Sequence, residues 1–125
     1  MLGAGVRRRA VRVADRLAHA AAYARQTGSI VVLKGAGTVV AAPDGRARLS
    51  DFASAVLATA GTGDVLAGFI GSLVAQGMEL FDAASAAVYM HSECGRAVEG
   101  ALGSATALAQ DLLRALPDVR KALDG

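Results

Sequence analysis

Apolar residues recur at helical spacing at the start of the chain and then give way to short β-branched runs. Val13, Leu17 and Ala20 repeat every third or fourth position, which predicts an amphipathic helix that Gly28 ends. The next run, Ser29–Leu33, is rich in β-branched residues and predicts a short buried strand. A helix followed by a strand is therefore the expected opening of the fold.

A hairpin is predicted directly after this strand. Thr38–Ala42 has the composition of a second strand, and Pro43, Asp44 and Gly45 have the chemistry of a tight turn. Arg46–Leu49 can then return as the second arm of the hairpin.

The remainder of the chain is predicted to be helical. Helical spacing extends from Asp64 to Gln76, and two further helices are expected over Phe81–Val98 and Ala105–Leu116, with Pro117 as the stop. This order predicts an α/β fold with a few-stranded sheet that contains a hairpin and packs against about four helices. About three strands are fewer than a sheet usually has, so residues 1–125 are expected to be one incomplete domain.

The composition argues against a disordered, a membrane-spanning or a disulfide-bonded protein. The chain has 125 residues, of which 54% are hydrophobic and 19% charged, a balance that argues against intrinsic disorder. Apolar runs such as Ala83–Met90 are too short to span a bilayer, so no membrane partner is expected. The single cysteine, Cys94, allows no internal disulfide, which makes the cytoplasm the expected compartment.

Positive charge is concentrated at the start of the chain, although the net charge is only +2. Such a cluster could attract phosphates or serve as an organelle transit peptide, but a solvated arginine face of an amphipathic helix is the favoured interpretation. Residues 1–9 are expected to be a flexible basic arm, and no nucleic-acid partner is expected because aromatic residues are few. The cluster consists of Arg7, Arg8, Arg9, Arg12, Arg16 and Arg25.

The stretch Ala58–Gly68 carries the clearest chemical signal. Gly61 and Gly63 stand just before a predicted helix, where glycines allow close approach of a ligand and unpaired amides attract an anion. The spacing fits neither the dinucleotide fingerprint, since Leu66 stands where the third glycine would fall, nor the P-loop. The sequence therefore predicts an anion site of another kind.

Asp64 is unusual because it places a carboxylate where an anion should bind. It could bind a metal, or it could take a proton from a hydroxyl that attacks a phosphate. The alternative is that Asp64 or Thr62 only caps the helix and complements its dipole. Both interpretations remain open from the residues alone.

Two weaker candidates lie elsewhere. Lys34 at the end of a parallel-type strand, followed by Gly35 and Gly37, could touch a nucleotide, although an ordinary exposed turn is favoured. His91 and Cys94 are interpreted as helix-packing residues and not as metal ligands or a nucleophile.

Three segments together resemble a known family. Val31–Val40, Leu57–Gly68 and Leu73–Gly77 are similar to the carboxyl-terminal half of the ATP- or ADP-dependent NAD(P)H-hydrate dehydratases of the ribokinase-like superfamily. The similarity extends from about residue 10 through His91 to the last helix. It implies a partial ribokinase-like fold and the repair of hydrated NADH or NADPH.

The resemblance also assigns roles to residues. Asp64 would be the base that activates the substrate hydroxyl and contacts the hydrate, and ATP or ADP with Mg²⁺ would supply the phosphoryl group. The anion hole would be formed by Gly61, Thr62 and Gly63. The nucleotide would be bound by Lys34, Gly35, Ala36, Gly37, Thr38, Thr59 and Gly63.

Departures from the family pattern leave alternatives open. Ala53-Ser54-Ala55 replaces the usual Gly-Asn-Pro, Ser92 replaces a glycine, and the amino-terminal strands of the family domain are missing. The chain could thus be a dehydratase that associates with a missing half or forms a homo-oligomer, an inactive fragment or nucleotide-binding module, or a small-molecule kinase of the same superfamily.

Overall fold

The computed structural model describes residues 4–35, 37–50 and 54–124, with no side chain described before Val13. The chain divides into two compact units, Met1–Asp51 and Phe52–Gly125. The first contains α1 (Ala4–Thr27), β1 (Val31–Leu33), β2 (Thr38–Ala41) and β3 (Ala47–Ser50). The second contains a 3₁₀ helix (Ala55–Ala58), α2 (Thr62–Ala75), α3 (Leu80–Leu102) and α4 (Ala109–Asp124).

The first unit contains a three-stranded antiparallel sheet of order β1-β2-β3. The predicted hairpin is confirmed: Gly45 donates its amide to the Ala42 carbonyl, and Asp44 accepts from the amide of Arg46 at 3.0 Å. The expectation of a parallel-type first strand is wrong for the observed pairing, because β1 pairs with β2 in antiparallel register. A connection as short as residues 34–37 can join only antiparallel neighbours, since a parallel pair needs a crossover of a dozen or more residues.

Helix α1 packs on this sheet through small side chains. Ala20 and Ala24 are buried together with Val39 and Ala41, and Leu17 is partly buried against the same cluster. The spacing of these helical residues is the spacing that predicted α1, and its end is also confirmed, since Gly28 with φ of +66° follows Thr27.

The second unit is built from helices around a core of its own. Leu66, Phe69 and Leu73 form the buried stripe of α2, as their spacing predicted. Helix α3 begins at an N-cap, Glu79, whose carboxylate accepts the amide of Asp82 at 3.1 Å. The described helices include none with the length and apolarity to cross a membrane.

The predicted stop of the last helix at Pro117 is wrong, since α4 extends through it to Asp124. A proline inside a helix leaves the carbonyl four residues earlier without its usual donor. Here that residue is Leu113, which is 51% exposed, and Pro117 is exposed as well, so water is available to the carbonyl. The helix also begins later than predicted, at Ala109, where Asp111 accepts the amide of Leu108 at 2.8 Å.

Candidate functional site

A tight turn leads from the 3₁₀ helix into α2. Ser54 caps the 3₁₀ helix by accepting the amide of Val56 at 3.1 Å, and Thr59 donates its amide back to the Val56 carbonyl. The buried hydroxyl of Thr62 lies 2.6 Å from the Leu57 carbonyl oxygen and 2.9 Å from that of Thr59. The amide of Thr62 also donates to the Thr59 carbonyl. Thr62 therefore fixes the turn with both of its donors.

Gly61 is the N-cap residue of α2 and has the left-handed conformation, with φ of +89° and ψ of −11°. A side chain in this conformation is strained by contact with its own backbone. A Cβ at this position would also lie 3.2 Å from the Cβ of Ala109 at the start of α4. The sequence signal Gly-Thr-Gly thus corresponds to a turn that requires glycine at its first position.

The amino end of α2 has backbone amides that donate to no acceptor among the described residues. The amides of Gly63 and Asp64 have no hydrogen-bond acceptor within the part of the chain that the structure describes, and no side chain caps this helix. The interpretation of Asp64 or Thr62 as a hydrogen-bonding cap is therefore wrong, whereas Asp64 does lie in the first turn of α2, where a carboxylate complements the helix dipole. Two amides at the positive end of a helix dipole can bind an anion such as a phosphoryl group.

The carboxylate of Asp64 is exposed beside these amides and borders a cleft of about 750 Å³ between α2 and α4. Val65, Phe69, Leu113 and Leu116 contribute apolar surface to the cleft. Its volume lies in the range of small-molecule sites. A carboxylate at the border of such a cleft can accept a proton from a bound hydroxyl.

His91 supports this turn from α3. Its Nε2 atom lies 3.0 Å from the Thr62 carbonyl oxygen, and because a carbonyl only accepts, Nε2 carries the proton. The ring is buried and meets Phe69 edge-on, with centroids 6.1 Å apart. The interpretation of His91 as a hydrogen-bonded packing residue is confirmed, but its contact with the site was missed, since no local spacing links residues 62 and 91.

The second candidate segment lies in the first unit, between β1 and β2. Lys34 and Gly35 are exposed, Gly37 is buried with φ of +94°, and Thr38 begins β2. Ala36 lies outside the described residues.

A side chain from α1 holds this loop. Arg16 donates through Nη1 to the Gly37 carbonyl and through Nη2 to the Leu33 carbonyl, the latter at 3.1 Å. The expectation of a wholly solvated arginine face is therefore wrong for Arg16, because its guanidinium satisfies backbone carbonyls.

The predicted site residues fall into two groups. Thr59, Gly61, Thr62, Gly63 and Asp64 come together in the turn before α2, whereas the Lys34–Thr38 loop belongs to the first unit. Among the residues that the structure describes, no three His, Cys, Asp or Glu side chains are grouped as a metal site.

The arrangement of these elements is that of the ribokinase-like α/β fold. The chain superposes with a TM-score of 0.81 and 36% identity on a crystal structure of the ADP/ATP-dependent NAD(P)H-hydrate dehydratase from Bacillus subtilis, co-crystallized with ATP/Mg²⁺. The match covers 86% of this chain and 39% of that one. The expected partial ribokinase-like fold is thereby confirmed.

Sequence comparison identifies the family. The profile described as NAD(P)H-hydrate dehydratase (Carb_kinase) matches residues 5–118, and the chain belongs to this family. It is 43% identical over 95 residues to the ADP-dependent (S)-NAD(P)H-hydrate dehydratase of Neisseria meningitidis, a match that covers 76% of the chain. It is 41% identical over 110 residues, 88% of the chain, to the Bifunctional NAD(P)H-hydrate repair enzyme Nnr of Moorella thermoacetica.

The chain corresponds to only a part of these relatives. It spans 32% of the Neisseria protein and 21% of the Moorella protein. The family resemblance inferred from the motifs is confirmed.

Proposed function

We propose that this chain supplies the nucleotide-binding half, together with the catalytic base, of a nucleotide-dependent NAD(P)H-hydrate dehydratase. The observation that carries the proposal is an exposed carboxylate, Asp64, beside two amides without an acceptor among the described residues, in a chain of this family. The Neisseria and Bacillus relatives are named as NAD(P)H-hydrate dehydratases, which supports the same reaction for this chain.

In this proposal the reaction has two steps. Asp64 accepts the proton of the substrate hydroxyl while that oxygen attacks the terminal phosphorus of the nucleotide, and the nucleotide leaves with the electron pair of its P–O bond. The C–O bond of the phosphate ester then breaks, inorganic phosphate leaves with the electron pair, and the neighbouring ring carbon gives its proton to solvent water. The dihydropyridine ring of NADH or NADPH is restored.

The amides of Gly63 and Asp64 donate to the phosphoryl oxygens during the first step and stabilise the charge that they carry. Of the residues that the family resemblance places in the anion hole, Gly63 keeps this role in the proposal, whereas Thr62 keeps the turn in shape, since its own amide and hydroxyl are bonded to carbonyls. Gly61 permits the turn, and Thr59 accepts the Thr62 amide. The loop formed by Lys34, Gly35, Ala36, Gly37 and Thr38 contributes to nucleotide binding.

Mg²⁺ fits this site as a cation that arrives with the nucleotide. Magnesium in such enzymes is bound chiefly by phosphate oxygens, so the nucleotide would hold the ion and the exposed carboxylate of Asp64 would stay available as the base. The ion screens the negative charge of the phosphates.

The test measures the return of dihydropyridine absorbance from hydrated NADH in the presence of Mg²⁺ and either ATP or ADP. Asp64→Asn should abolish this signal while nucleotide binding persists, because the amide side chain cannot accept the proton. The matched control is Asp82→Asn, since Asp82 is also an exposed aspartate at the third position of a helix, α3. An unchanged rate in Asp64→Asn would remove this residue from the mechanism.

The assay is run on the chain alone and after addition of the amino-terminal part of the Bacillus domain as a separate polypeptide. Activity only with the added part supports association with a missing half, and nucleotide binding without activity in both arms supports a binding module. A phosphorylated product that keeps its phosphate would indicate a small-molecule kinase. A homo-oligomer and a cytoplasmic location remain predictions.

A further inference from the structure

Arg16 connects α1 to both ends of the Lys34–Gly37 loop. The carbonyl that precedes the loop, that of Leu33, and the carbonyl at its end, that of Gly37, accept from different nitrogens of the same guanidinium. A guanidinium is planar and holds its donors in a fixed relation. The contact therefore fixes the separation of the two carbonyls, one on each side of Lys34 and Gly35.

The described residues of the loop take no part in the strand pairing. The ladder between β1 and β2 ends at the pair Leu33 and Val39, so Lys34, Gly35 and Gly37 lie outside it. Glycines at positions 35 and 37 allow many backbone conformations, which a bound ligand would have to restrict at an entropic cost. A side chain that restricts them beforehand lowers that cost.

Gly35 is matched to this arginine. A Cβ at position 35 would lie 2.8 Å from Nη2 of Arg16 and 3.1 Å from its Cζ. A side chain at residue 35 would require the end of the Arg16 side chain to shift away from its present place. Arg16 and Gly35 thus form one structural unit, although 19 positions separate them in the chain.

We infer that Arg16 is a positioning residue that pre-orders the Lys34–Thr38 loop for the phosphates of the nucleotide, an inference that rests on the proposed function of this loop. Arg16 acts through the carbonyls of Leu33 and Gly37 and needs no contact with the nucleotide. Lys34, which is exposed in the loop, is placed by this arrangement.

The test is isothermal titration of the purified chain with ATP and Mg²⁺, well below its melting temperature. Arg16→Met removes both donors and keeps much of the apolar length, and we expect about tenfold weaker binding or more. Arg16→Lys should bind with intermediate affinity, since one ammonium cannot hold two carbonyls as a planar fork does. The matched control is Arg25→Met, which removes the same charge from an exposed position of α1 and should stay within about twofold of the original affinity.

A double-mutant cycle separates positioning from general stability. Gly35→Ala should weaken ATP binding more in the original chain than in the Arg16→Met background, where only the strain of a side chain at φ of +156° remains. A purely structural role would lower the melting temperature and leave the affinity of the folded chain unchanged.

The outcomes are distinct. Equal ATP affinity of Arg16→Met and the original chain would overturn the positioning role and leave the proposed function standing. Absence of ATP and ADP binding by the original chain would overturn both.

Discussion

Replacement of Gly61 by alanine tests whether the turn before α2 needs a residue without a side chain. Gly61 has φ of +89°, and a left-handed conformation costs an alanine about 1–2 kcal/mol. The new Cβ would also stand 3.2 Å from the Cβ of Ala109, so that α4 must shift slightly. We expect Gly61→Ala to lower the free energy of unfolding by about 2 kcal/mol in total.

Gly71→Ala is the matched control with the opposite sign. Gly71 lies inside the same helix, and a Cβ there would meet nothing within 4 Å. Alanine stabilises a helix interior by about 0.5–1 kcal/mol relative to glycine. Replacement of glycine by alanine is therefore expected to lower the free energy of unfolding at Gly61 and to raise it at Gly71.

Urea and thermal unfolding followed by circular dichroism measure both variants. In a chain of this size, each kcal/mol of unfolding free energy shifts the melting temperature by about 4 °C. The melting temperatures of Gly61→Ala and Gly71→Ala should therefore differ measurably, with the first below and the second above that of the original chain. If Gly61→Ala were as stable as the original chain, the left-handed N-cap and its contact with α4 would be refuted.

Two further predictions concern the core of the second unit. Leu112 is 0% exposed, so Leu112→Ala should lower the free energy of unfolding by about 3 kcal/mol in urea titrations, whereas Leu123→Ala, at a 45% exposed position of the same helix, should cost about 0.5 kcal/mol or less. Burial, with a smaller contribution from the charge of Glu93, raises the pKa of Cys94 to about 11. Because the unfolded thiol ionises first, stability should fall by about 2 kcal/mol as the pH rises from 9 towards 11, and urea midpoints of Cys94→Ala should lack this decline.

Much of the fold follows from local sequence pattern. The stripe of Leu66, Phe69 and Leu73 and the turn at Gly45 depend on neighbouring residues, and both were predictable for that reason. The same holds for the candidate anion site, since Gly61 and Asp64 stand at the start of a helix whose apolar spacing is clear.

The features that sequence patterns missed depend on distant contacts or on solvent. Arg16 looks like one of several surface arginines until α1 packs beside the loop that ends at Gly37. Pro117 was expected to end α4, but its exposed position lets the helix tolerate one missing hydrogen bond. Neither feature has a signature within a few residues of its own position.

The bond between His91 and Thr62 has a consequence for the order of folding during synthesis. The two residues are 29 positions apart, so the ribosome releases the turn before α2 well ahead of the imidazole that holds its carbonyl. A nascent chain that stops short of α3 holds the turn only through the local bonds of Thr62 and gains the support of His91 later. Newly made chains should therefore complete this turn late, after α2 and the first half of α3 have been synthesised.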